Sequence, residues 1–302
     1  MNWTPSRLPD QTGRRFVITG GTAGLGYFAG EQLARAGATI VIAARNEGRA
    51  DVAKAAIRAR VADARLEYLP VDLSSLESAR AAGDRIAEFD RVDGLILNAG
   101  TTTGARDRQT SVDGHELTMA TNYIGHFALT ARAFPALERT PKSRIVGLGS
   151  LATLIVPLDP ADLQSEHRFG FFRAYGFTKH AVHGFILELD RRLRASGTDV
   201  SAVLSHPGYA IDSLTATRGG IVEGGGAGML LAFGAQGKNR GAAPVVRAAT
   251  DPAAVSGDFF GPEYLTKGLP VAVTPVASSA SPDFGRELWR LSEQWTGERF
   301  RP

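Results

Sequence analysis

Tyr175 and Lys179 stand four residues apart, so on a helix they share one face. A free phenol titrates near about 10 and is a poor acid or base at neutral pH. A neighbouring ammonium favours the phenolate. Such a pair could give a proton to a ketone oxygen or take one from an alcohol. Ser150 follows the apolar run Arg144–Leu148, where its hydroxyl could bond the same oxygen as charge develops there. Each residue also has an ordinary structural use: a packed Tyr, a solvated Lys, a Ser that bonds its own turn.

Upstream, Thr19-Gly20-Gly21-Thr22-Ala23-Gly24-Leu25-Gly26 links a short apolar run to an amphipathic one. Gly20, Gly24 and Gly26 permit a tight turn, close approach of backbone to a pyrophosphate, and close helix–strand packing. The helix start that follows, Thr22, Ala23, Gly24 and Leu25, offers unpaired N–H groups to the anion. The spacing is GxxxGxG rather than GxGxxG. At the end of the second apolar run stand Arg45 and Asn46, where an acidic residue would bond the ribose 2′-OH of NAD. Arg45 cannot accept that bond but can pair with a 2′-phosphate. NADP(H) is therefore the expected cofactor, with NAD(H) the other candidate.

These residues must be held by a scaffold, and the pattern predicts one. Short runs rich in Val, Ile and Leu lie at Phe16–Thr19, Thr39–Ala43, Leu66–Val71, Gly94–Leu97, Arg144–Leu148 and Val200–Leu204, with a possible seventh at Gly257–Pro262. They are apolar almost throughout, as strands buried on both faces are. Helical stretches alternate with them at Leu25–Ala36, Glu47–Arg60, Leu76–Phe89, Val112–Leu137 and Ala174–Ala195. The fold class predicted is α/β: one Rossmann-type, doubly wound parallel sheet of about seven strands in a single domain, with helices on both faces. A last helix is expected over Ser281–Trp295, with Ser281 as cap, Gly297 past its end, and Phe284, Leu288, Leu291 and Trp295 on its apolar face. Residues 1–13 read as an N-terminal extension and 151–172 as an insertion before the Tyr175 helix. Residues 213–241 read as a substrate loop or lid, since nine Gly fall within 219–241.

Composition narrows the remaining classes. The 302 residues include no Cys, which excludes disulfides, iron–sulfur clusters and thiol nucleophiles. The net charge of +3 is too small to indicate a nucleic-acid partner. No stretch approaches the roughly 20 apolar residues of a membrane span, and the N-terminus does not read as a secretory signal. A cytoplasmic protein is expected. His180 and His183 are three apart but lack a third ligand, so no metal site is expected and both read as satisfied or solvated. Phe169, Phe171, Phe172 and Phe177 either line an apolar pocket or belong to the core.

Taken in order, these motifs resemble the short-chain dehydrogenase/reductase superfamily over about two thirds of the chain. Besides the Gly-rich turn, Asp72-Leu73 resembles the pair that meets adenine, and Asn98-Ala99-Gly100 the motif that supports the sheet beside the cofactor. Pro207-Gly208 resembles the turn flanking the nicotinamide, and Asn122, Ser150, Tyr175 and Lys179 resemble the catalytic tetrad. The contexts TNYIGHF and HPGYA are similar to the retinol-dehydrogenase-like branch. The resemblance implies carbonyl–alcohol oxidoreduction on an apolar small molecule, with Lys179 also holding the cofactor ribose and Asn122 anchoring a proton relay. It leaves homodimer and monomer open. Three positions depart from the pattern: Ser150 and Tyr175 are unusually far apart, Gly149 replaces a common Ser, and Asp212 replaces a Thr that contacts the carboxamide. The alternative implied by these departures is a catalytically silent NADP(H)-binding sensor or scaffold.

Overall fold

The computed structural model describes residues 3–102, 104–222 and 234–302. The parallel strands are β1 (Arg15–Thr19), β2 (Thr39–Ala44), β3 (Arg65–Pro70), β4 (Gly94–Leu97), β5 (Arg144–Leu148) and β6 (Ser201–Ser205). Two-residue strands β7 (Ala210–Ile211) and β8 (Gln236–Gly237) pair with each other, and β9 (Phe259–Pro262) and β10 (Pro270–Ala272) complete the main sheet. Among the described residues that sheet has 8 strands in the order β10-β9-β6-β5-β4-β1-β2-β3. The seventh strand expected at Gly257–Pro262 is β9, parallel to β6. The eighth, β10, is antiparallel to β9 and corrects the count of about seven. Its three residues are too few to show a period in sequence.

Both faces of the sheet are covered. Along β1, Val17 enters one apolar cluster with Phe127, Phe185 and Trp289. Its neighbours Phe16 and Ile18 enter the other, with Phe28, Leu33 and Val246. That two-sided burial is why the strands read as unbroken apolar runs. Each such buried side chain contributes about 1.5–3 kcal/mol, and together they hold the strand ends that carry the site. Strand order reverses between β1 and β4, and the crevice beyond their carboxyl ends is where this architecture binds ligands.

Helices fall largely where expected, with instructive differences. The run predicted over Val112–Leu137 is broken. Residues 111–115 turn through Gly114 (φ 84°), and the Glu116 carboxylate then accepts from the N–H groups of Thr118 and Met119 at 2.9 and 2.7 Å. Only then do Leu117–Met119, a π-helical turn over Ala120–Ile124, and Gly125–Arg139 follow. The long helix Phe171–Ser196 carries Tyr175 and Lys179. The insertion folds as a single helical turn, Ala152–Ile155, and a 3-10 turn, Pro160–Asp162. Arg173 pins it, donating to Asp162 at 2.9 Å and Asp159 at 3.1 Å. The last helix, Pro282–Thr296, is capped by Ser281 and ended by Gly297 as expected. Its buried face is Phe284, Leu288 and Trp289, with Leu291 and Trp295 at the margin. Of the expected lid, 223–233 lie outside the described residues.

Candidate active site

The Gly-rich turn is built as its spacing requires. Gly20 and Gly24 have φ of 70° and 57°, a region that side chains disfavour. A Cβ on Gly26 would fall 2.4 Å from Asn98 Nδ2 and 2.6 Å from the Gly20 carbonyl oxygen. Gly26 is therefore a packing glycine that lets the helix Gly24–Arg35 approach β4. Ala23 starts that helix without a side-chain cap, and its first turn holds no acidic residue, so its N-terminal N–H groups remain available to an anion.

Thr19 joins this turn to the next motif. Its hydroxyl accepts from the N–H groups of Asn98 and Ala99, both at 3.0 Å. Asn98 Nδ2 donates to the Thr19 carbonyl at 2.8 Å. His126 Nδ1 faces the Asn122 carbonyl at 2.9 Å and so carries its proton there. Its Nε2 then accepts from the Thr19 hydroxyl at 2.9 Å.

A cleft of about 820 Å³ opens at these strand ends. It brings together Gly20, Thr22, Ala23, Gly24, Leu25, Arg45, Asn46, Asp72, Leu73, Asn98, Ala99, Gly100, Tyr175, Lys179 and Pro207. Gly26, Asn122, Ser150 and Gly208 do not line it. Gly208 instead turns the chain, with φ 68° and a Cβ site only 2.2 Å from the Thr266 carbonyl oxygen. Asn122 is buried with its amide fully used: Oδ1 accepts from Thr101 N–H at 2.8 Å, and Nδ2 donates to the Thr101 carbonyl at 3.0 Å and Thr178 Oγ1 at 3.2 Å. It fixes the loop after β4 to the Tyr175 helix. Ser150 Oγ accepts from Ala152 N–H at 3.1 Å, which leaves the hydroxyl proton for another acceptor.

Lys179 is buried and donates to the Leu148 carbonyl at 2.7 Å, with its ammonium 5.6 Å from the centre of the Tyr175 ring. Asn46 caps the helix Glu47–Arg58 by accepting from Arg49 N–H at 2.8 Å. That turn brings Arg49 to the cleft beside Arg45, a residue sequence reasoning missed although it lies one helical turn further on. Lys238 also lines the cleft and was not foreseen, since no motif reaches it. Of the phenylalanines, Phe177 is core while Phe171 and Phe172 are exposed, the Phe172 ring lying 6.4 Å from that of Tyr175.

With this geometry in place, comparison with known proteins is informative. Residues 14–218 match the family model described as short chain dehydrogenase. The chain belongs to the short-chain dehydrogenase family. Several of its curated relatives are retinol dehydrogenases, in keeping with the retinol-dehydrogenase-like branch. Mouse polyprenol dehydrogenase is 35% identical over 227 residues, 74% of this chain and 67% of that protein. Mouse retinol dehydrogenase 12 is 36% identical over 204 residues, 67% of this chain and 63% of that protein. A crystal structure of an uncharacterized Mycobacterium paratuberculosis protein aligns with a TM-score of 0.80 at 31% identity, covering 99% of each chain. The RhlG/NADP complex of Pseudomonas aeruginosa aligns with a TM-score of 0.60 at 24% identity over 83% of this chain and 94% of that one, a likeness of fold. Among the described residues no helix is long and apolar enough to cross a membrane.

Where Gly149 lines the cleft, His183 packs behind it. A Cβ on Gly149 would lie 2.2 Å from His183 Nε2, and His183 is buried with neither ring nitrogen bonded. The imidazole occupies the room a serine would need at 149, so His183 is neither satisfied nor solvated as the sequence suggested. We expect Gly149→Ser to destabilise the fold by about 1–3 kcal/mol through overpacking, and His183→Val in the same chain to recover most of that. Urea midpoints of the two single variants and the double variant decide it, and strictly additive effects would show that the residues do not compete for space.

Burial also pushes four imidazoles down: His126 and His206 to about 4, His183 to about 3, and His180 in the same direction. Each stays neutral in the fold, whereas an unfolded histidine takes its proton near about 6.5. Below that pH the unfolded state binds more protons, so stability is complete above about 6.5 and falls as the pH drops toward about 4. A urea midpoint that holds steady between about pH 7.5 and 5 would contradict this.

Proposed function

We propose that the protein is an NADP(H)-dependent oxidoreductase that interconverts a carbonyl and an alcohol on an apolar small molecule, with Tyr175 as the acid–base. The observation that carries this reading is the meeting of Tyr175 and Lys179 with the Gly-rich turn in one cleft. The residues present fit a dinucleotide. The uncapped helix start at Ala23 and the side-chain-free turn at Gly20 and Gly24 suit a pyrophosphate. Asp72 and Leu73 would flank adenine, and Asn98, Ala99, Gly100 and Pro207 would flank the nicotinamide half. When bound, the nicotinamide supplies or accepts the hydride.

The chain's own groups do the rest. Tyr175 Oη donates a proton to the carbonyl oxygen in reduction and takes one from the alcohol in oxidation. Lys179 places positive charge 5.6 Å from the centre of the Tyr175 ring, and two of its three donors remain for the ribose hydroxyls. Ser150 turns its remaining hydroxyl proton to the substrate oxygen. Asn122 positions the loop against the helix of Tyr175, and the relay role implied by resemblance falls to it. Arg45 and Arg49, exposed at the end of β2, supply the guanidinium groups for a 2′-phosphate. Phe171 and Phe172 provide apolar surface beside Tyr175, which suits a substrate of the kind that the names polyprenol and retinol dehydrogenase describe. The second reading, dinucleotide binding without turnover, draws on Asp212. Turnover on any substrate excludes it.

Tyr175→Phe should lower turnover by about two orders of magnitude or more on a panel of apolar aldehydes while leaving dinucleotide affinity intact. Wild-type rates from that variant would remove Tyr175 from the chemistry. Arg45→Ala should weaken NADPH about tenfold and leave NADH nearly unchanged, because only the former carries the 2′-phosphate. Equal losses for both cofactors in a binding titration would argue against a 2′-phosphate contact.

A further inference from the structure

Lys238 lies far along the chain from every motif that defines the cleft, yet it lines that cleft beside Thr22, Ala23 and Gly24. A Cβ on Gly24 would stand 3.7 Å from Lys238 Cδ and 3.8 Å from Nζ, so the ammonium rests over the Gly-rich turn. The start of the helix there is itself positive, with no acidic residue and no cap to offset it. Two like-signed centres share one small volume, an arrangement that gains when an anion enters between them. One carboxylate holds the ammonium in the absence of that anion: Asp212 Oδ2 is 2.7 Å from Lys238 Nζ, and its side chain is 66% exposed.

The pair belongs to one built unit. Lys238 N–H donates to Thr215 Oγ1 at 2.7 Å, and the Thr215 hydroxyl donates to the Ile211 carbonyl at 2.7 Å. Thr215 N–H donates to the Asp212 carbonyl at 2.9 Å. Pairing of β7 with β8 ties the same two segments together. Asp212 is also the position where a hydroxyl residue is expected. Alone, a carboxylate there would repel a bound pyrophosphate, and Lys238 supplies the charge that offsets it.

We propose that Lys238 is a cofactor-binding residue that takes the pyrophosphate of the dinucleotide, and that Asp212 holds its ammonium over the Gly-rich turn until the phosphate arrives. This rests on the dinucleotide reading above. Calorimetric titration with NADPH and with adenosine 2′-monophosphate, which lacks the pyrophosphate, tests it at low and moderate salt. Lys238→Gln should weaken NADPH about tenfold and flatten its salt dependence, while 2′-monophosphate binding stays within about twofold. Lys238→Arg should keep most of the affinity, and Asp212→Asn should tighten NADPH by removing the competing carboxylate. Melting curves like that of the wild type are expected for all three. Unchanged NADPH affinity in Lys238→Gln, or an equal loss of both ligands, overturns the assignment of Lys238 alone. A wild-type protein that binds neither ligand overturns the dinucleotide reading and this inference with it.

Discussion

The buried hydroxyl of Thr19 sets the geometry on which the site depends. It sits where β1 ends, accepts from two successive N–H groups of the β4 exit, and donates to His126 on the helix behind them. One donor and two acceptor positions are thereby all used. The hydroxyl fixes the separation of β1 and β4 at the point where strand order reverses, which sets the width of the cleft. The Asn122–Thr101 bonds extend the same constraint outward to the loop, and Thr178 carries it to the helix of Tyr175. The Gly-rich turn and the helix of Tyr175 are therefore registered through side chains that do not themselves line the opening.

How much of this is legible in sequence depends on whether a role is local. The Gly-rich turn, the strand ends and the Tyr175–Lys179 spacing are dictated by backbone geometry within a few residues, and the structure brings them together. The central strands β1, β2, β4, β5 and β6 are readable because two-sided burial removes alternation, while the edge strand β3 is mostly half-buried. β10 escapes because three residues cannot show a period. The break before Leu117 escapes because it is made by a glycine turn and a self-capping Glu116, inside a segment whose apolar content still suits a helix.

Roles that depend on tertiary neighbours are hidden for a different reason. Gly149 looks like a lost serine until His183, thirty-odd residues away, is seen to fill its place. Asp212 looks like a damaged cofactor contact until Lys238 is found paired with it. In both cases the residue at the departing position meets a partner on another element. A motif reads one chain position at a time and has no means of registering such a partner.

The anchorage of the insertion has its own consequence. Arg173, which grips Asp159 and Asp162 and lies over the Phe177 ring, belongs to the same helical turn as Tyr175. The insertion is thus fastened to the helix of Tyr175 in two ways, through two carboxylates and through Val156, which is buried with Leu163 in the core and packs against Gly176 one residue beyond the phenol. A change at Val156 would be felt by that helix, whereas exposed positions of the insertion such as Leu154 and Ile155 can vary without reaching it.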